Sequence, residues 1–128
     1  MNMITEDYVS FETAKLLKEK GFDENCSRSY VKDKLTHSQG RNNSYYTIMY
    51  ETYRPISAPT LQMAMKWLRE VHKIAINIGW GEVFKENYQW WCIILNQNSG
   101  EILQENEYGK TYEEVCEAAI KYCLENLI

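Results

Sequence analysis

The second half of the chain changes hydrophobic period twice, from helical to strand-like and back to helical. Helical spacing runs from residue 60 to 73, three strand-like runs follow, and helical spacing returns from 111 to 127. A period near 3.6 residues marks a helix with one apolar side, and a period of two marks a strand. The order predicts an α+β fold with an α-β-β-β-α core, in which helices pack on one face of an antiparallel sheet of three or more strands.

The strand-like runs differ in how many of their faces are apolar. Ile74, Ile76, Ile78 and Trp80 alternate with smaller or polar residues, which predicts a strand with one buried face. Residues 88–96 are apolar on both faces, which predicts a central strand covered on both sides. The turn formers of residues 97–100 lead into a shorter, more polar run, 101–105, which we expect to be an edge strand.

Two helices are predicted to flank this sheet, one over Leu61 to Lys73 and one over Tyr112 to Leu127. The second opens with Thr111 and Glu114 in capping-box spacing, so that each side chain is expected to satisfy an exposed backbone N–H of the other.

The first part of the chain carries a weaker signal. Ser10 is a good N-cap for a helix over Phe11–Lys20, and Gly21 can end it in a left-handed conformation, with Phe22 packing back against Leu17. Beyond it, runs 27–35 and 44–53 are predicted to pair as a β-hairpin arm around the polar stretch 36–43. We expect one domain over 1–128, made of this part (1–57) and the core (58–128).

Composition argues against some classes of function. The net charge of −4 and a pI near 5.2 disfavour a general polyanion binder. The charge is uneven: residues 101–128 hold seven acids and two lysines, whereas residues 11–41 hold seven bases and five acids. An acidic helix of this kind is usually a solvated face.

The four cysteines form no Cys-x-x-Cys pair, and two histidines are the only others available to join them. We therefore predict no metal site and no cofactor, and we expect the thiols to pack as small apolar groups. With no signal peptide, no long apolar span and no disulfide spacing, the chain is predicted to be cytoplasmic and not membrane-bound.

Surplus aromatic residues are the feature that most favours binding. Trp90 and Trp91 are adjacent in one strand and must face opposite ways, so either one lines the core and the other a groove, or helices cover both. Because interfaces use aromatic anchors, we predict an unknown protein partner or self-association. The residues expected to contribute are Tyr45, Tyr46, Tyr53, Trp80 and Trp91.

Two other functions remain open. A nucleic-acid adaptor would place the helix Phe11–Lys20 beside DNA and use four basic side chains on phosphates, namely Arg28, Lys32, Lys34 and Arg41. An enzyme would need two convergent ionisable groups, and His72 with Glu82 or Glu86 is the pair that the sequence offers. No catalytic motif is present, and we predict that the protein is not an enzyme.

The element order resembles that of the double-stranded RNA-binding domain. That family clamps phosphates with lysines at the start of its second helix, but the matching residues here, 111–114, read Thr-Tyr-Glu-Glu and would repel a phosphate backbone. The resemblance is one of topology and argues against RNA binding as much as for it.

Three blocks of sequence resemble a group of short proteins without an established activity, found in gut anaerobic bacteria and in their prophages and mobile elements. The blocks are Tyr8–Glu24, Ser57–Ile74 and Thr111–Ile128, about half of the chain. The final hairpin and helix are also similar to the small α-β-α sandwich domain of phage proteins. These resemblances supply no activity; they imply a phage-related or mobile-element origin in a bacterial cytoplasm. Because the chain has surplus aromatic residues and no catalytic motif, we predict a non-enzymatic accessory or interaction protein.

Overall fold

A computed structural model describes residues 3–37, 46–48 and 51–128. The chain divides into two compact units, residues 1–60 and residues 61–128. The predicted class is confirmed: the protein is α+β, with antiparallel sheets and three helices over the described residues. Within these residues, no helix is both long enough and apolar enough to cross a membrane.

The N-terminal unit begins with helix α1, Phe11–Glu19, whose ends follow the sequence prediction. The Ser10 Oγ atom accepts from the Thr13 N–H at 3.2 Å. Gly21 has a φ of +94°, and the Phe22 N–H donates to the Leu17 carbonyl at 2.9 Å. Left-handed backbone at this position costs an L side chain energy but not glycine, which explains why the helix stops here. Val9, Leu17 and Phe22 are fully buried and form the centre of this unit.

Among its described residues, the N-terminal unit also has five short strands: β1 (Ser29–Val31), β2 (Lys34–Thr36), β3 (Tyr46–Ile48), β4 (Glu51–Tyr53) and β5 (Ile56–Ser57). The strands pair antiparallel as β2-β1-β5 and as β3-β4. Over the described residues, 29–31 pair with 34–36, and 46–48 pair with 51–53, so each part forms a hairpin of its own. The predicted pairing of run 27–35 with run 44–53 is therefore wrong. The first turn occurs at Lys32, which adopts a φ of +60° without the Asn or Gly that usually signals such a turn.

The C-terminal unit contains α2 (Leu61–His72), β6 (Ile74–Phe84), β7 (Asn87–Asn96), β8 (Ile102–Gly109) and α3 (Tyr112–Asn126). The three strands form an antiparallel sheet in the order β6-β7-β8. All three strands are longer than predicted, and β6 and β7 form a hairpin that continues the pairing to Phe84 and Asn87. The turn between β7 and β8 is closed by Asn96, whose side-chain oxygen accepts from the Asn98 N–H at 2.9 Å.

The two faces of this sheet are covered unequally. Both α2 and α3 contact the sheet, and the fully buried strand residues share one face: Ile74 and Ile76 on β6 with Cys92 and Ile94 on β7. The opposite face of β7 carries three side chains that are only half-buried: Trp91, Ile93 and Leu95. The prediction that β7 is the central strand is confirmed, whereas the predicted cover on both sides is only partial on this face, since apolar side chains alone do not report which face receives the helices.

The start of α3 confirms one half of the predicted capping box. The Thr111 Oγ1 atom accepts from the Glu114 N–H at 3.1 Å. The Glu114 carboxylate accepts from the N–H of Lys110 at 3.1 Å, one residue before the predicted donor. Both contacts satisfy backbone N–H groups at the helix start, where the helix dipole favours a negative side chain.

Candidate interaction surface

The β6–β7 hairpin carries a pair of exposed, stacked aromatic rings. Trp80 on β6 lies opposite Trp90, and Glu82 lies opposite Tyr88, so these side chains share one face of the hairpin. The rings of Trp80 and Tyr88 stack with their centroids 5.3 Å apart and their planes 21° apart. Trp80 is 58% exposed and Tyr88 is 53% exposed. We call Trp80, Glu82 and Tyr88 the aromatic surface.

Trp90 shares this face but has a structural role. Its ring meets Tyr112, the first residue of α3, edge-on at a centroid distance of 5.3 Å and an angle of 83°. The Tyr112 hydroxyl accepts from the Gln62 side-chain amide at 2.8 Å. Burial raises the pKa of Tyr112, so this hydroxyl keeps its proton well into the alkaline range. Trp90 therefore fixes the hairpin to the helices, and the more distal Trp80 and Tyr88 remain accessible.

The other face of the sheet contains a shallow concavity of about 260 Å³. Its largest side chain is Trp91, whose indole ring lies directly over the bare backbone of Gly79 on the neighbouring strand. The concavity is lined by Glu82, Val83, Trp91, Cys92, Ile93, Glu105 and Tyr108. Five of these seven residues are apolar or aromatic, and the other two are the glutamates Glu82 and Glu105.

The predicted interaction residues do not form one patch. Trp80 and Trp91 point to opposite faces of the sheet, because they occupy adjacent cross-strand positions. Tyr46 and Tyr53 pair across β3 and β4 in the N-terminal unit; their side chains, and the whole of Tyr45, lie outside the described residues. Tyr88 was not among the predicted residues: its spacing of two from Trp90 puts it on the face of Trp90, but only the register of the hairpin brings it to Trp80.

The residues predicted to contact phosphates are only partly brought together. Lys32 and Lys34 are exposed at the β1–β2 hairpin, with Asp33 between them. The Arg28 guanidinium lies over the ring of Tyr8, 4.8 Å from its centroid. Arg41 lies outside the described residues.

The ionisable pair considered for catalysis is widely separated. His72 ends α2 just before β6 begins, and Glu82 lies near the far end of that strand. At about 3.3 Å per residue, the strand alone separates them by roughly 25 Å. The His72 ring instead meets Trp67 edge-on at 4.7 Å, and the Glu82 carboxylate accepts from the Glu86 N–H at 2.8 Å.

Four free cysteines are buried, and three of them belong to the C-terminal unit. Burial raises the pKa of Cys92 and of Cys116 to about 11, and that of Cys123 to about 12. A thiol becomes a good nucleophile or metal ligand only when it loses its proton, so burial makes these groups unreactive near neutral pH. In the described part of the chain, no group of three or more His, Cys, Asp or Glu side chains is arranged to hold a metal ion.

Comparison with known proteins gives no guide to this surface. No protein-family model matches the chain, and no curated protein or solved structure is significantly similar to it. The resemblances noted in the sequence therefore stay predictions.

Proposed function

We propose that the protein is a non-enzymatic interaction protein, and that its C-terminal unit binds a partner protein through the aromatic surface. The observation that carries this proposal is the stacked, half-exposed pair of Trp80 and Tyr88 on a regular hairpin. Large aromatic side chains left exposed on a rigid element are typical of binding hot spots, because they bury much area at little cost in conformational entropy.

The charges around these rings favour a basic segment as the ligand. Glu82 lies directly across from Tyr88 in the ladder, and Lys85 and Glu86 form the adjoining turn, so acids outnumber bases by two to one at this end. An arginine guanidinium stacks well on a tryptophan or tyrosine ring, and a nearby carboxylate pairs with it. The net charge of −4 would also attract a basic partner over a longer range.

The cellular setting is part of the same proposal. We place the protein in a bacterial cytoplasm as an accessory of a phage or mobile element, on the basis of the three resembling sequence blocks. Four buried cysteines in the free thiol form support a reducing compartment.

Selection of peptides from a random displayed library tests the binding site without a known partner. We expect peptides selected on the native protein to be enriched in arginine and to bind more weakly as salt concentration rises. The double variant Trp80→Thr, Tyr88→Thr should weaken their binding at least tenfold by calorimetry, which corresponds to about 1.4 kcal/mol.

Val71→Thr is the matched control, because Val71 is also an exposed apolar side chain (55%) but lies on α2, and the change preserves its shape. Selected peptides that bind the double variant as tightly as the native protein would exclude the aromatic surface as their site. Failure to enrich any peptide would count against the proposal as a whole.

A further inference from the structure

Strand β6 is an edge of the C-terminal sheet, and its register identifies which backbone groups face outward. The Gln97 N–H donates to the Lys73 carbonyl at 2.8 Å, immediately before the pair Ile74–Asn96. The Asn96 N–H points the other way and donates to Glu101 across the sheet, also at 2.8 Å. Because the direction of backbone groups alternates along a strand, odd-numbered residues of β6 bond to β7 and even-numbered residues face outward.

The outward-facing N–H and C=O groups thus belong to Ile74, Ile76, Ile78 and Trp80. In the sheet order β6-β7-β8, no strand of the described residues pairs with this side of β6. A free edge of this length presents a row of donors and acceptors to any strand that can align with it.

The two edge strands of the sheet, β6 and β8, differ in how well they are protected against pairing with another strand. From Ile74 to Gly81, β6 contains no charged residue and no proline, and the register with β7 is regular. The opposite edge, β8, contains Glu105 and Glu107 and two register shifts against β7. Charges and bulges are the usual means by which proteins keep an edge from pairing, so β8 is protected and β6 is not.

We propose that two copies of this chain associate through antiparallel pairing of β6 with β6, around a twofold axis near Asn77. This register places Ile76 opposite Ile78 of the second copy and Ile74 opposite Trp80. The two three-stranded sheets then form one continuous sheet of six strands. Glu82 of each copy stays outside the pairing, so no like charges meet across the interface.

A second copy fits this edge better than the other occupants considered. Pairing of β6 with β8 of another copy would bring glutamates and bulges into the ladder, and it would leave free edges that extend into filaments. Pairing of β6 with itself uses identical, uncharged surfaces and closes as a dimer. The inference is independent of the proposed aromatic surface, because it depends on backbone groups and not on the rings.

A matched pair of substitutions at one position tests this interface. Trp80→Pro removes an outward N–H that β7 does not use, which an edge strand tolerates. Trp80→Thr removes the same ring but keeps that N–H and suits a strand. In sedimentation equilibrium we expect the native protein and Trp80→Thr to reach twice the chain mass of 15.2 kDa. Trp80→Pro should dissociate at a concentration at least tenfold higher than Trp80→Thr does.

Hydrogen exchange of the native protein provides a second measurement that does not depend on the proline variant folding. The amides of Ile76 and Ile78 should become at least tenfold more protected as protein concentration rises through the dimer range. The amides of Asn77 and Gly79, which bond to β7, should be protected at every concentration. A native protein that remains at 15.2 kDa, or Ile76 and Ile78 amides that exchange rapidly at all concentrations, would overturn the proposal.

Trp80→Thr also separates the two proposals. It should lose affinity for the selected peptides while retaining the dimer. A variant that retains both would refute the aromatic surface and leave the β6 interface intact, whereas one that loses both would refute the β6 interface and leave the aromatic surface intact.

Discussion

Replacing Gly79 by alanine tests the cross-strand contact on which the open face of the sheet depends. A Cβ atom at position 79 would lie 2.2 Å from Cζ2 of Trp91, 2.5 Å from Cη2 and 2.6 Å from Cε2. Ordinary carbon–carbon contacts are about 3.5 Å or longer, so the indole ring would have to retreat by more than about 1 Å. The ring cannot do so while keeping its place over the neighbouring strand.

The expected cost follows from two opposing effects. Overpacking of this kind costs about 1–3 kcal/mol, whereas replacing a strand glycine by alanine gains roughly 0.5–1 kcal/mol by reducing the freedom of the unfolded chain. We therefore expect Gly79→Ala to lower the free energy of unfolding by up to about 2.5 kcal/mol. In a Trp91→Val background, the steric cost disappears and the same substitution should be neutral or stabilising by up to about 1 kcal/mol.

Urea denaturation followed by circular dichroism measures this double-mutant cycle, with all variants at one protein concentration. Gly81→Ala is the control, since its Cβ would meet nothing closer than Trp91 Nε1 at 3.9 Å, and it should not destabilise the protein. If the effects of Gly79→Ala and Trp91→Val add to within about 0.5 kcal/mol, or if Gly79→Ala behaves like Gly81→Ala, the contact does not exist as described.

Two further predictions concern the last helix. Thr111→Ala should lower the free energy of unfolding by about 1 kcal/mol, because the Glu114 N–H loses its acceptor. Thr111→Ser keeps an acceptor and should change that free energy by only about a few tenths of a kcal/mol. Equal stability of the two variants would contradict the cap. The Cys123 thiol should make stability fall at alkaline pH. The folded protein holds this proton up to about pH 12, whereas the unfolded chain releases it near pH 9, so the stabilisation is complete below pH 9 and is lost as pH rises towards 12. Urea titrations at pH 7, 9 and 11 should show a shallower fall for Cys123→Ala than for the native protein, and identical slopes would refute the assignment.

The C-terminal unit could be predicted from the sequence because its signals are local. The alternation from Ile74 to Trp80 and the cap at Thr111 each involve neighbours along the chain, and the structure places elements where those signals lie. Their lengths could not be predicted in the same way, since β6 continues through Glu82 to Phe84 without any alternation of apolar residues.

Most of the N-terminal unit could not be predicted from local sequence patterns. Its strands are two or three residues long, too short for a period to be recognised. Ser29 pairs with Thr36 in a tight hairpin and also with Ser57, almost thirty residues away. The second pairing depends on tertiary packing and leaves no pattern near either residue. The turn at Lys32 likewise lacks the glycine or asparagine that would reveal it.

The sequence predicts that aromatic residues form the candidate surface, but it does not predict how those residues are arranged. Alternation alone puts Trp90 and Trp91 on opposite faces, and the structure agrees. Sequence could not say which face the helices cover, and hence that Trp90 contacts Tyr112 while Trp91 covers Gly79. It also gave no reason to group Tyr88 with Trp80, because their stacking depends on the register of the hairpin.

A difference in length explains why aromatic rings are exposed at the end of this hairpin. Strand β6 has eleven residues and spans about 36 Å at about 3.3 Å per residue. Helices α2 and α3 have twelve and fifteen residues and span only about 18 and 22 Å at 1.5 Å per residue. Neither helix is long enough to cover the whole strand, and α3 begins only at the level of Trp90, where the ring of Tyr112 meets it. The far end of the hairpin, with Trp80 and Tyr88, therefore has to be covered by something outside the C-terminal unit or remain in water. A chain that needed only a stable sheet could end these strands near Ile78 or place polar residues beyond it. The extension of the hairpin with large aromatic side chains is why we propose a binding site at this end of the hairpin.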